Sequence, residues 1–193
     1  MTTTLGPRFE LALLWANSLH ATQRRKASEV PYVSHLLGVC DLVLQNGGTE
    51  EQAIAALLHD SMEDQGVTRK EIEQRFGPHV ADLVEACTDA TVIPKPPWQE
   101  RKEAFLARLE SAEPDAVMVV ACDKLHNLRA TLEDLRRLGP QVWERFKAGR
   151  DPQIWYYQAF LDCSRSGEPR GLFEEIRRTL AHLEEESRPP SHH

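Results

Sequence analysis

Residues 114–138 read PDAVMVVACDKLHNLRATLEDLRRL, and the spacing of their apolar side chains decides the fold class. Val117, Val120, Ala121, Leu125, Leu128, Leu132 and Leu135 return every three or four residues, the period of one helix face. A stripe of this length implies a long core helix, and Asp123 lies inside it. The same period recurs in Leu11, Leu14, Trp15 and Leu19, and again in Leu36, Val39, Cys40 and Val43, whereas strand-like alternation hardly occurs. The chain is predicted to be all-α, a helical bundle.

Asn46-Gly47-Gly48 ends one helix, and Thr49 with Gln52 forms a capping box that starts the next. That helix is predicted to carry "LLHDSMEDQ" (57–65) and to break at Gly66. Thr68 and Glu71 repeat the capping box, and Gly77-Pro78 divides the resulting short helix from one through Val80, Leu83 and Val84. "VIPKPPW" (92–98) reads as a loop of polyproline character, followed by two helical patterns, residues 114–138 and a helix opened by "WYYQAF" (155–160). At least two of Trp155, Tyr156 and Tyr157 read as core. The end, "EEESRPPSHH" (184–193), reads as a frayed polar tail.

A chain of 193 residues fits one domain that buries about two-thirds of its unfolded surface. Residues 1–165 are predicted to form its core, with 166–193 a C-terminal helix and polar tail packed on it or trailing from it. A net charge of −7 argues against broad binding to a nucleic acid polymer, although "QRRK" (23–26) can still offset phosphates within one pocket. No stretch has the roughly 20 apolar residues of a membrane span, and no leader pattern opens the chain, so a cytoplasmic location is expected. Cys40, Cys87, Cys122 and Cys163 lie far apart and read as reduced, structural residues.

The chemistry concentrates in "LLHDSMEDQ". On one continuous helix His59 lies near Glu63, and Asp60 near both Glu63 and Asp64, because residues three and four apart are neighbours. An imidazole and three carboxylates sharing one volume call for a compensating charge, and a divalent cation is the simplest. His59 and Asp60 are then candidate ligands. His35 and Asp123, each a polar residue within an apolar helical run, are the candidates to complete the set. A lone histidine on an apolar face is more often a hydrogen-bonded core residue, and a single HD dipeptide is weak evidence. The order H…HD…D carries the argument.

Those residues resemble the HD superfamily of metal-dependent phosphohydrolases. "QRRK", "PYVSH" (31–35), "AALLHDSMED" (55–64), "FGPHVADLVEACTD" (76–89) and "CDKLHNLR" (122–129) are similar to the hydrolase domain of the RelA/SpoT family, particularly its single-domain small alarmone hydrolases. The likeness spans about residues 10–165. It implies a single-domain, HD-type helical bundle that removes the 3′-diphosphate of (p)ppGpp, leaving GDP or GTP and pyrophosphate, with Mn²⁺ as the metal. It also implies water activation by Glu63 with Asp64 assisting, stacking of Arg25 on the base, phosphate contact by Lys26 and a nucleoside hydrogen bond from Asn127. Arg101, Lys102 and Lys124 are further cations available to so anionic a substrate.

Two histidines and two carboxylates make one site with open positions, and Fe²⁺ or Zn²⁺ also suits such donors. The sequence departs from the family at Leu36, where proline is common, and in "SMEDQ", which replaces "TVEDT". The segment between Lys26 and Pro31 is short and borders the base pocket, so 3′-diphosphorylated adenosine nucleotides are an alternative substrate. An HD nucleotidase acting at the 5′ position, a non-catalytic alarmone sensor and a purely structural bundle compete with this reading. Glu63 and Asp64 disfavour the sensor, and the sequence leaves the oligomeric state open.

Overall fold

A computed structural model describes residues 3–26, 28–90, 94–163 and 169–188. Among them the helices run α1 (Pro7–Leu19), α2 (Val33–Gln45), α3 (Glu50–Leu58), α4 (Ser61–Gln65), α5 (Arg69–Phe76), α6 (Pro78–Cys87), α7 (Trp98–Leu109), α8 (Pro114–Leu138), α9 (Arg150–Asp162) and α10 (Arg170–Glu186). A 3₁₀ stretch, Gly139–Arg145, follows α8. The described residues contain no strand, only an isolated bridge between Arg24 and Pro31.

The long helix has the bounds that its apolar stripe predicts, and it is the central element. It packs against α2, α3, α6 and α10. Beside it, α3 is apolar from Ala53 to Leu58, with every one of those side chains buried, the pattern of a helix inside a bundle. Both capping boxes form: Thr49 accepts from the Gln52 amide while Gln52 accepts from Thr49, and Thr68 and Glu71 do the same. Gly66 ends α4 at φ +67°, a left-handed conformation that glycine adopts without strain.

Several elements differ from expectation. In α1, Leu11 and Leu14 are 60% and 68% exposed, while Ala12 and Ala16 are fully buried and Trp15 and Leu19 partly so. The small residues let α1 approach α3 closely, so packing follows them rather than the largest side chains. The helix expected to open at Trp155 begins at Arg150, with Asp151 and Pro152 in its first turn, where both are favoured. α7 lies where no helix was expected, and Trp98 is its first residue rather than the end of a loop. Residues 91–93 of that region lie outside the described residues.

Glu184, Glu185 and Glu186 belong to α10 rather than to a frayed tail, and Glu186 pairs with Arg136 of α8. Leu172, Phe173, Ile176, Leu180 and Leu183 of α10 join the common core. The expected boundary at 165 and the final residues 189–193 lie outside the described residues. All four cysteines are free, and burial raises the thiols of Cys40, Cys87 and Cys122. Such thiols are unreactive packing groups.

Candidate functional site

Four of the residues singled out in the sequence converge where α2, α3 and α8 meet. His35 sits in the first turn of α2, His59 and Asp60 link α3 to α4, and Asp123 lies midway along α8. Ligating atoms of His35, His59 and Asp123 all lie within 4.8 Å of one another. His35 Nε2 is 3.2 Å from Asp123 Oδ1 and 3.7 Å from Asp60 Oδ2, and His59 Nε2 is 3.0 Å from Asp60 Oδ2 and 3.6 Å from Asp123 Oδ1.

The orientation of His59 is fixed from behind. Its Nδ1 donates to the Ala56 carbonyl at 2.8 Å, so Nε2 is the nitrogen left facing the carboxylates. That atom is buried and has no aligned hydrogen-bond partner, despite its short distance to Asp60. An orphaned imidazole nitrogen facing two carboxylate oxygens is what a divalent cation would satisfy, so the donor set fits one. Asp60 Oδ2 also accepts from Tyr32 Oη at 2.5 Å.

The electrostatics agree. Burial alone would raise the Asp123 carboxyl, yet Lys124 at 2.7 Å, with His35 and His59, holds it well below the usual carboxylate range. Asp60 follows the same balance, burial raising it and His59 lowering it further. Both carboxylates thus stay charged and available.

The continuous helix expected over "LLHDSMEDQ" is divided. α3 stops at Leu58, Asp60 adopts φ −97°, ψ 0°, and α4 restarts at Ser61. Across the break the Asp64 amide still donates to the Asp60 carbonyl at 2.9 Å, and the Glu63 and Asp64 carboxylates take separate partners. Glu63 accepts from Lys95 Nζ at 2.7 Å and from the Asp89 amide at 3.2 Å, and Asp64 accepts from Gln23 Nε2 at 2.7 Å.

Burial, followed by the charges of Asp60 and Glu63, raises the Asp64 carboxyl, against the hydrogen bond from Gln23. A folded value above the unfolded one, about 3.9, means that ionisation penalises the folded state. The penalty is complete above the folded value and absent below the unfolded one. Asp64→Asn, which keeps an acceptor for Gln23, is therefore expected to raise the Tm of the metal-free protein at pH 7, with the gain disappearing below about pH 3.9. Thermal melts at the two pH values check this, and equal Tm at pH 7 would refute it.

Beside the convergence point opens a cleft of about 850 Å³ whose lining includes Arg25, Lys26, Arg101, Lys102, Lys124 and Asn127. Arg25 donates from both Nη atoms to Asn127 Oδ1 at 3.1 Å, and Asn127 Nδ2 donates to Asp123 Oδ1 at 2.6 Å. One amide thus ties the cleft to the carboxylate. Tyr156 and Tyr157 also line the cleft while packing into the core, and Lys102 and Lys124 lie over the Tyr156 ring.

Sequence reading passed over Tyr32, Asp89 and His126. Asp89 pairs with both Arg101 and Lys102, and His126 Nδ1 lies 2.9 Å from His35 Nδ1. Tyr32 stands inside "PYVSH" and His126 inside "CDKLHNLR", where closeness to His35 and Asp123 was the available signal.

The HD-domain family model matches residues 12–154. The chain belongs to the HD-domain family. This HD domain is 40% identical over 132 residues to the guanosine-3′,5′-bis(diphosphate) 3′-pyrophosphohydrolase MESH1 of Xenopus tropicalis, covering 67% of this chain and 70% of that protein. Against MESH1 of Drosophila melanogaster the identity is 34% over 168 residues, covering 86% and 89%. Among solved structures, a metazoan ortholog of SpoT, described as hydrolysing ppGpp, superimposes with a TM-score of 0.75 at 30% identity, covering 91% of this chain and 97% of that one. The fold of this HD domain is thus the all-helical one of that hydrolase.

Proposed function

We propose that this HD domain hydrolyses the 3′-diphosphate of (p)ppGpp, giving GDP or GTP and pyrophosphate, with one Mn²⁺ held by His35, His59, Asp60 and Asp123. The observation that carries the reading is the orphaned Nε2 of His59, gathered with donors of His35, Asp60 and Asp123 beside a cation-lined cleft. Likeness to the MESH1 enzymes supports the substrate. A divalent cation there would stabilise negative charge developing on a phosphoryl oxygen.

The chain's own residues do the rest. Water adds to the phosphorus nearer the ribose, the bond from phosphorus to O3′ breaks, and O3′ takes up a proton. Glu63 accepts the proton of the attacking water, and Asp64, held by Gln23, assists. Lys102, Lys124 and Arg101 offset the 3′-diphosphate, Lys26 meets phosphate, Arg25 stacks on the base and Asn127 hydrogen-bonds the nucleoside. No helix among the described residues is long and apolar enough to cross a membrane, and the reading places the enzyme in the cytoplasm.

Phosphorus NMR of guanosine and adenosine 3′,5′-bis(diphosphates), each incubated with metal-stripped protein plus Mn²⁺, tests this. Pyrophosphate from the guanosine compound is expected. Product from the adenosine compound alone would overturn the base assignment, and none from either would overturn the reading.

A further inference from the structure

His35 poses a problem that His59 does not. To offer Nε2 to a cation, a neutral imidazole must carry its proton on Nδ1, and a buried N–H needs an acceptor. His59 uses the carbonyl three residues before it, that of Ala56. For His35 the corresponding carbonyl, that of Tyr32, already accepts from the His35 backbone amide at 2.9 Å. The acceptor in reach is a side chain from another helix, His126 of α8, with the two Nδ1 atoms 2.9 Å apart and the ring centroids 4.8 Å apart.

The His126 ring fits only because α2 leaves a notch for it. A Cβ built at Gly38, three residues beyond His35, would lie 2.2 Å from His126 Nε2 and 2.4 Å from its Cδ2. Real atoms do not approach so closely, so any side chain at position 38 displaces the ring. We propose that His126 is a positioning residue, seated by Gly38, which accepts the Nδ1 proton of His35 and thereby fixes the tautomer that presents Nε2 to the metal. The inference rests on the reading of His35 as a metal ligand. Accepting through Nδ1 requires a neutral His126 protonated on Nε2.

Two readouts test the idea, calorimetric titration of Mn²⁺ into metal-stripped protein and long-range ¹H–¹⁵N NMR of the His35 ring in the metal-free state. His126→Ala is expected to weaken Mn²⁺ binding about 10- to 100-fold and to abolish the Nδ1–H signature of His35. His126→Asn, whose Oδ1 replaces Nδ1 as acceptor, should restore most of the affinity. Gly38→Ala improves the helix propensity of α2, so a purely structural role for the glycine predicts no loss of affinity. Displacement of the ring predicts a loss like that of His126→Ala, and no further loss when both substitutions are combined.

Unchanged affinity or an unchanged His35 tautomer in His126→Ala would overturn the proposal, as would additive losses in the double variant. Wild-type protein that binds no Mn²⁺ would instead overturn the ligand reading and this inference with it. Wild-type binding with indifferent variants removes only the inference.

Discussion

Glu63→Gln is expected to lower turnover about 10²- to 10⁴-fold, the usual contribution of a positioned general base. Metal affinity and Tm should stay close to wild type, because Glu63 lies outside the four-donor cluster and its side chain is partly exposed. Gln keeps an oxygen for Lys95 or the Asp89 amide, though not for both, so the substitution removes proton-accepting power with little change in shape. Kinetics with saturating Mn²⁺ separate the possibilities. A fall confined to kcat identifies a group acting in the chemical step, whereas a rise in KM alone would assign Glu63 to substrate binding. Lys95→Ala is the control, since it removes the ammonium paired with Glu63 and leaves the carboxylate in place. If Glu63→Gln turned over like the wild type, water activation would have to be reassigned.

The parts of the fold legible in the sequence were those where one physical preference acts alone. The stripe on α8 gave its bounds because a helix packed on several sides needs apolar residues at each of those positions. The capping boxes of α3 and α5 were equally readable, being local hydrogen bonds that need no tertiary partner. α1 was misread because its burial depends on how closely α3 approaches, which favours Ala12 and Ala16 over Leu11 and Leu14. α7 escaped notice because its short apolar set, Phe105, Leu106 and Leu109, follows a proline-rich loop and a charged first turn.

At the site, ligand types in order pointed to His35, His59, Asp60 and Asp123, and the geometry brings them together. The helix breaks at Asp60, yet the Asp64 amide still donates to the Asp60 carbonyl at 2.9 Å, and the Glu63 carboxylate pairs with Lys95 and the Asp89 amide, partners that helical spacing does not name. The partners of Asp89 and His126 were hidden for a different reason. Each acts on a residue distant in sequence, Asp89 on Arg101 and Lys102, and His126 on His35. Only the packing of α7 on the loop after α6, and of α8 on α2, creates those contacts.

Asp123→Asn tests the centre of the arrangement, because this carboxylate serves four partners at once. Oδ2 accepts from Lys124 Nζ at 2.7 Å, while Oδ1 accepts from Asn127 at 2.6 Å and faces both His35 and His59. Removing its charge is expected to abolish Mn²⁺ retention and pyrophosphate release together. It should also destabilise the metal-free protein by about 3–5 kcal/mol, since the Lys124 ammonium, 13% exposed, is left without its counter-charge. The rings of Phe105 and Tyr156, 5.3 and 5.6 Å from Lys124 Nζ, offset only part of that loss. Adding Lys124→Met removes the stranded charge, so the double variant should regain most of its Tm while still binding no metal and releasing no pyrophosphate. Calorimetric titration and thermal melts on the same samples separate the two roles. If Asp123→Asn bound Mn²⁺ as tightly as the wild type, the ligand set would be wrong. If Lys124→Met lowered Tm further, the lysine would be contributing packing rather than paired charge.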